Sequence, residues 1–164
     1  MSIAIRAAAA ALVLLAATAG GARAGVIIDQ SNTTTVQRFY NTGASVNLPI
    51  GQSFTPALGT LDFVDLHIDD AGSDVGPGAN FEVRIRSGSI SGTIAGTSRN
   101  LFIPDGTNTG GGSTISHFTF DAPVSLTAGS LYVIEVVQLG PSVPGNSNFG
   151  VDGNLGNTYA RGQA

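Results

Sequence analysis

The chain of 164 residues carries eleven Asp and Glu against seven Arg, no Lys and no Cys, for a formal charge of −4. An acid-rich surface makes nucleic acid and anionic lipid poor partners. The lack of Cys excludes disulfides, thiolate metal sites, a Cys nucleophile and a lipid-modified N-terminal Cys, so stability has to come from the core.

The first residues read as an export signal. Met1 to Arg6 holds one positive charge, Ala7 to Gly20 is rich in Ala, Leu and Val, and Ala22-Arg23-Ala24 has the small-x-small pattern of a signal peptidase site. That pattern predicts a signal peptide over residues 1–24, cleavage after Ala24 and a secreted, extracellular product. The apolar run of about 14 residues reaches about 21 Å as a helix, short of a hydrocarbon core of about 30 Å, so no stable membrane anchor is expected from it. Losing Arg6 and Arg23 leaves five Arg against eleven acids, a formal charge of −6. Residues 25–164 have the length of a single domain able to bury a core.

Within that domain, Val26 to Ile28 predicts a first strand and Asp29 to Thr35 a loop. Val36 to Tyr40 and Ser45 to Ile50 are short strand candidates around Asn41-Thr42-Gly43, and Gly51 to Pro56 continues extended until Pro56. In Leu61 to Asp70, Val64, Leu66 and Ile68 point one way and Asp65, His67 and Asp69 the other, a half-buried strand with a polar outer face. Asp69 to Asn80 reads as a loop. Phe81, Val83 and Ile85 then alternate with Glu82, Arg84 and Arg86, a strand whose charged side pairs across its neighbours. Ser87 to Thr97 is Ser/Gly-rich with Ile90 and Ile94 as anchors, Ser98 to Ile103 is a strand ending at Pro104, and Asp105 to Thr114 is a loop.

The landmark is Phe118 to Leu139, two strands joined by a corner. Phe118 and Phe120 alternate with Thr119 and Asp121, and Asp121-Ala122-Pro123 breaks the ladder because Pro has no N–H. Thr127-Ala128-Gly129-Ser130 turns the chain into an expected hairpin. From Leu131 to Val137 both faces are apolar apart from Glu135, the mark of a central strand whose Glu meets solvent or a polar partner. Gly140 to Asn148 is a loop, Phe149 to Asp152 a short strand, and Asn154 to Ala164 has Tyr159 as its only large side chain. With no helical period after residue 25, these elements predict an all-β fold, an antiparallel, jelly-roll-like β-sandwich of roughly eight strands.

Chemistry is sparse. No Ser stands in Gly-x-Ser-x-Gly, Gly110-Gly111-Gly112 leads to no Lys, and His67 and His117 each lack a second His at ligand spacing, so both read as exposed strand histidines. No catalytic residue and no cofactor is expected. Asp69, Asp70 and Asp74 offer hard oxygen ligands on one Gly-rich segment, the speculative calcium loop of this chain, against the alternative of a solvated acidic loop. Carbohydrate platforms use exposed aromatics; Trp is absent, and Tyr159 beside Arg161 is the speculative stacking pair.

These residues resemble a family of exported bacterial domains associated with PEP-CTERM sorting tails, similar to the choice-of-anchor β-sandwich domains. The resemblance rests on Gly51-Gln52-Ser53-Phe54-Thr55-Pro56, Leu61 to Val64, Phe118-Thr119-Phe120 with Pro123-Val124 and Leu126, Gly129 to Glu135, and Thr158-Tyr159-Ala160. It spans most of residues 50–163. It implies a non-enzymatic surface or biofilm-matrix protein whose partners are extracellular polysaccharide or another surface protein, and it supplies no catalytic residues. The alternative is a carbohydrate-binding module, calcium-assisted through the Asp loop. Relatives continue past the Tyr-Ala segment into another strand and a sorting tail, whereas this sequence reads Tyr159-Ala160-Arg161-Gly162 and stops at Ala164. The expectation is a domain missing its last strand, with an open sheet edge near the C-terminus.

Overall fold

The computed structural model describes residues 26–31, 37–40, 49–70, 77–108, 114–140 and 149–153. Ten strands run through them: β1 (Gln37–Tyr40), β2 (Ile50–Phe54), β3 (Thr60–Leu66), β4 (Ile68–Asp70), β5 (Ala79–Ser87), β6 (Ile94–Thr97), β7 (Leu101–Ile103), β8 (Ser116–Ser125), β9 (Tyr132–Leu139) and β10 (Phe149–Gly153). Every pairing is antiparallel, and no helix occurs among the described residues. The architecture is all-β and sandwich-like. One expected strand is broken at His67, so that β3 and β4 share the run 60–70, and one strand, β6, forms in the Ser/Gly-rich segment 87–97, where it lies end to end with β7 along β5.

One layer has the order β2-β9-β5-β6, with β7 also on β5. β9 is central, as its two apolar faces require. Register places Val83 opposite Val136 and Ile85 opposite Ile134, while Ile50 and Phe54 stand opposite Val136 and Tyr132, so these side chains share the inward face. Between β6 and β7 the ladder is carried by Ser98: its N–H donates to the Val83 carbonyl at 2.8 Å, and its Oγ accepts the Val83 N–H at 2.8 Å. A side chain thus fills the gap left by the broken edge strand, and no buried amide is stranded.

The second layer is built on the run 60–70. β3 pairs β8, β4 pairs β10, and β10 also pairs β1. The Asp152 N–H donates to the His67 carbonyl at 2.9 Å, carrying the β10 ladder across the break at His67. Val64, Ile68, Phe118, Val124 and Phe149 from this layer meet Phe81, Val83, Ile85 and Val136 from the other in one buried cluster. Phe81 and Phe149 cross edge to face at 5.2 Å, a contact between layers. At one side the layers pinch together, where the Arg99 N–H reaches the Thr119 carbonyl and Gly96 lies against Val124; a Cβ at Gly96 would stand 2.4 Å from Val124 Cγ2.

The run 118–139 forms two strands, but not a hairpin. β8 pairs β3 and β9 pairs β2 and β5, so the corner crosses from one layer to the other. Two buried faces cannot both be covered by a local partner, and the sandwich answers by separating the strands. Gly129 takes a φ of 81°, its N–H bonds the Pro56 carbonyl, and the Thr127 N–H bonds the Tyr132 hydroxyl. The ladder break at Asp121-Ala122-Pro123 is present as a bulge: Leu61 faces Val124, yet Phe63 faces Thr119.

Three further expectations are corrected. Asp69 and Asp70 are not loop residues but end β4, because β10 arrives to pair with them. Ile94 to Thr97 is an edge strand rather than loop. Val26 to Ile28 forms no strand and is exposed; the neighbouring Asp29 instead accepts the Ala57 N–H, an anchoring that three apolar residues without a sheet partner cannot provide. Among the described residues no strand lies beyond β2, whereas residues 154–164, where the open edge was expected, lie outside them.

Asn108 holds the far end of β4. At φ 56° it occupies a left-handed conformation that Asn tolerates, and its Nδ2 donates to the Ile68 and Thr114 carbonyls while its Oδ1 accepts the Thr114 N–H, all at 2.8 Å. Asn108→Gly keeps the backbone conformation and removes three bonds at a buried position, so it is expected to cost about 2–3 kcal/mol in urea unfolding. A loss below about 0.5 kcal/mol would show that the bonds are replaced by water.

Candidate functional site

Side chains on a strand alternate, so Phe63, Asp65, His67 and Asp69 all project from the outward face of the run 60–70. β8 adds His117 opposite Asp65, and β10 adds Asp152 beside His67. The result is a polar row crossed by two histidine–carboxylate pairs. His117 Nδ1 bonds Asp65 Oδ1 on the exposed part, with the Phe63 and His117 rings 5.0 Å apart. His67 Nδ1 bonds Asp152 Oδ2 at 2.6 Å where the side chains are only 15% and 13% exposed.

The second pair is joined by Asp69. Ligand atoms of His67, Asp69 and Asp152 all lie within 4.8 Å of one another. Asp69 is 0% exposed. Its register partner on β10 is Gly150, which has no side chain, and Ile68 between His67 and Asp69 is locked into the core on the opposite face. The donors are therefore set by two paired strands rather than by a loop, and an imidazole with two carboxylates can hold a proton or a cation between them.

The sequence-derived candidates separate. Of the two described members, Asp69 and Asp70, Asp69 belongs to this cluster and Asp70 does not. Asp70, its strand neighbour, points the other way; its Oδ2 accepts the Gly106 N–H at 2.8 Å and its N–H reaches the Thr107 carbonyl, which ties the 104–108 turn to β4. Asp74, Tyr159 and Arg161 lie outside the described residues. His117 is an exposed strand histidine, as expected; His67 is not, because β10 covers it with Asp152.

The outward face of the other layer is charged but self-satisfied. Arg86 Nε bonds Glu135 Oε2 at 2.6 Å and its Nη1 the Gly92 carbonyl, while Arg84 pairs with Glu82. Glu135 thus meets a polar partner, and a loop covers the same face: a Cβ on Gly51 would stand 2.6 Å from Ile90 Cδ1 and 2.9 Å from Val133 Cγ1. Comparison with protein-family models, with curated proteins and with solved structures found no match to the chain, so the resemblance over residues 50–163 stands on those residues alone.

Proposed function

We propose that the chain is a non-catalytic, exported β-sandwich of a bacterial surface layer or extracellular matrix. The observation that carries this reading is how the sheets spend their charge. Arg84, Arg86 and Arg99 are each answered by an acid of the same chain, Glu82, Glu135 and Asp121, and the inward faces form a buried apolar core. Such a surface suits a scaffold more than a reaction. The export-type leader supports the extracellular setting. A tagged chain expressed in a bacterial host is expected in the medium or matrix fraction, starting at Gly25 by N-terminal sequencing. Cytoplasmic retention of a product beginning at Met1 would overturn the reading.

A second reading, carbohydrate binding, is favoured by Phe63 beside His117 and Asp65 on an outward face, an aromatic ring flanked by hydrogen-bonding groups. Affinity electrophoresis in acidic and neutral polysaccharide gels tests it: retardation that falls at least fivefold in Phe63→Ala places the sugar on this face. Loss in Tyr159→Ala alone would move it to the terminal segment, and no retardation removes the reading.

A further inference from the structure

We propose that His67, Asp69 and Asp152 bind one divalent first-row metal ion that accepts mixed imidazole and carboxylate donors, zinc(II) or manganese(II), and that the ion clamps β4 to β10. The three donors come from two segments far apart in sequence, His67 with Asp69 on one and Asp152 on the other, that the β4–β10 ladder brings together. His67 and Asp69 are two residues apart on one strand face, and Asp152 sits at the next register position beyond Val151 opposite Ile68. Each donor therefore rides on a paired backbone, and the core side of the same strands is fixed by Ile68 and Val151.

Charge and burial point the same way. The carboxylate of Asp69 is fully buried, and Asp152 brings a second carboxylate within 4.8 Å of the same set. Two like charges in a site shielded from water oppose each other, and a dication offsets both at once.

The donor chemistry selects the metal. Calcium and magnesium favour shells made entirely of oxygen, whereas the imidazole nitrogen suits zinc, and the two carboxylate oxygens suit zinc or manganese. Four ligands at 2.0–2.1 Å in a tetrahedron stand roughly 3.3 Å apart. The present separations, from the 2.6 Å His67–Asp152 bond up to 4.8 Å, bracket that value, so modest side-chain rotation closes the shell. Three protein ligands leave a fourth position, and His67 and Asp152 retain enough exposure to admit water or another oxygen ligand there.

The test is calorimetric titration and thermal melting of the purified, EDTA-treated full chain with zinc, manganese, calcium and magnesium chlorides. One zinc or manganese ion per chain is expected. At a free ion concentration of 100 times Kd, the melting midpoint should rise by about 10 °C. His67→Gln and Asp152→Asn, at partly exposed positions where the fold tolerates change, should each weaken binding about 100-fold; Asp69→Asn adds a third variant if it folds. Absence of zinc and manganese binding overturns the proposal. So does binding unchanged in both variants, binding lost in His117→Gln instead, or calcium affinity equal to that for zinc.

Discussion

Phe81→Ala is expected to lower the unfolding free energy by about 3–5 kcal/mol and the melting midpoint by about 10–15 °C. The ring is 1% exposed, sits on the inward face of β5 and crosses Phe149 of the opposite layer at 5.2 Å. Truncation removes the transfer energy of the ring and leaves a cavity that two hydrogen-bonded sheets, fixed at their own spacing, cannot close. Total stability of such a domain is about 5–15 kcal/mol, and no disulfide holds this one together, so a large part of the margin disappears. Leu131→Ala, at a half-exposed position just before β9, should cost less than about 1 kcal/mol. Equal losses for the two variants, measured by urea unfolding, would mean that the layers are not held by the core between them.

The second large effect belongs to Glu135. Its carboxylate lies on the outward face of the central strand, shielded by the 88–93 loop, and meets Arg86, whose other nitrogen binds the Gly92 carbonyl. Glu135→Ala removes one member of a mostly buried pair and leaves a guanidinium without its counter-charge, at an expected cost of about 3 kcal/mol. The double variant Arg86→Met with Glu135→Leu should recover most of that loss, because the pair's net contribution is small once desolvation is counted. A double-mutant cycle in urea checks both statements. A double variant as unstable as the single one would show that Arg86 acts chiefly by holding the loop through Gly92.

What could be read from the residues and what could not follows from how far each signal reaches. Period two in Phe81 to Arg86 and in Val64 to Ile68 is a local pattern, and both strands appear with the faces it dictates. Leu131 to Val137, apolar on both sides, had to be central, and β9 is. Partner choice is a different matter. Whether β8 and β9 pair with each other or with strand residues 45 to 86 positions away is decided by which faces are covered, and no local residue records that. The site has the same limit. His67 and Asp69 are visibly in one phase, but Asp152 joins them only through the β4–β10 register, which no local pattern around residues 69–74 records. Ser98 looked like an ordinary strand residue, and only the gap between β6 and β7 makes its hydroxyl a substitute for a ladder amide.

The pairing order also governs how the molecule is assembled in time. Among the described ladders, β5 with β6 closes a short loop, while β2 waits for β9, β3 for β8, and Gln37 for Gly153. Chains dominated by such distant contacts fold in milliseconds to seconds rather than microseconds, because loop closure precedes the contacts that reward it. Loop closure accordingly favours β5 with β6 and β7 as the earliest ladders, and the β1–β10 ladder forms only after the chain has been synthesised through residue 153. Until then β4 has no partner along its β10 side, and His67 and Asp69 stand without the strand that brings Asp152 to them.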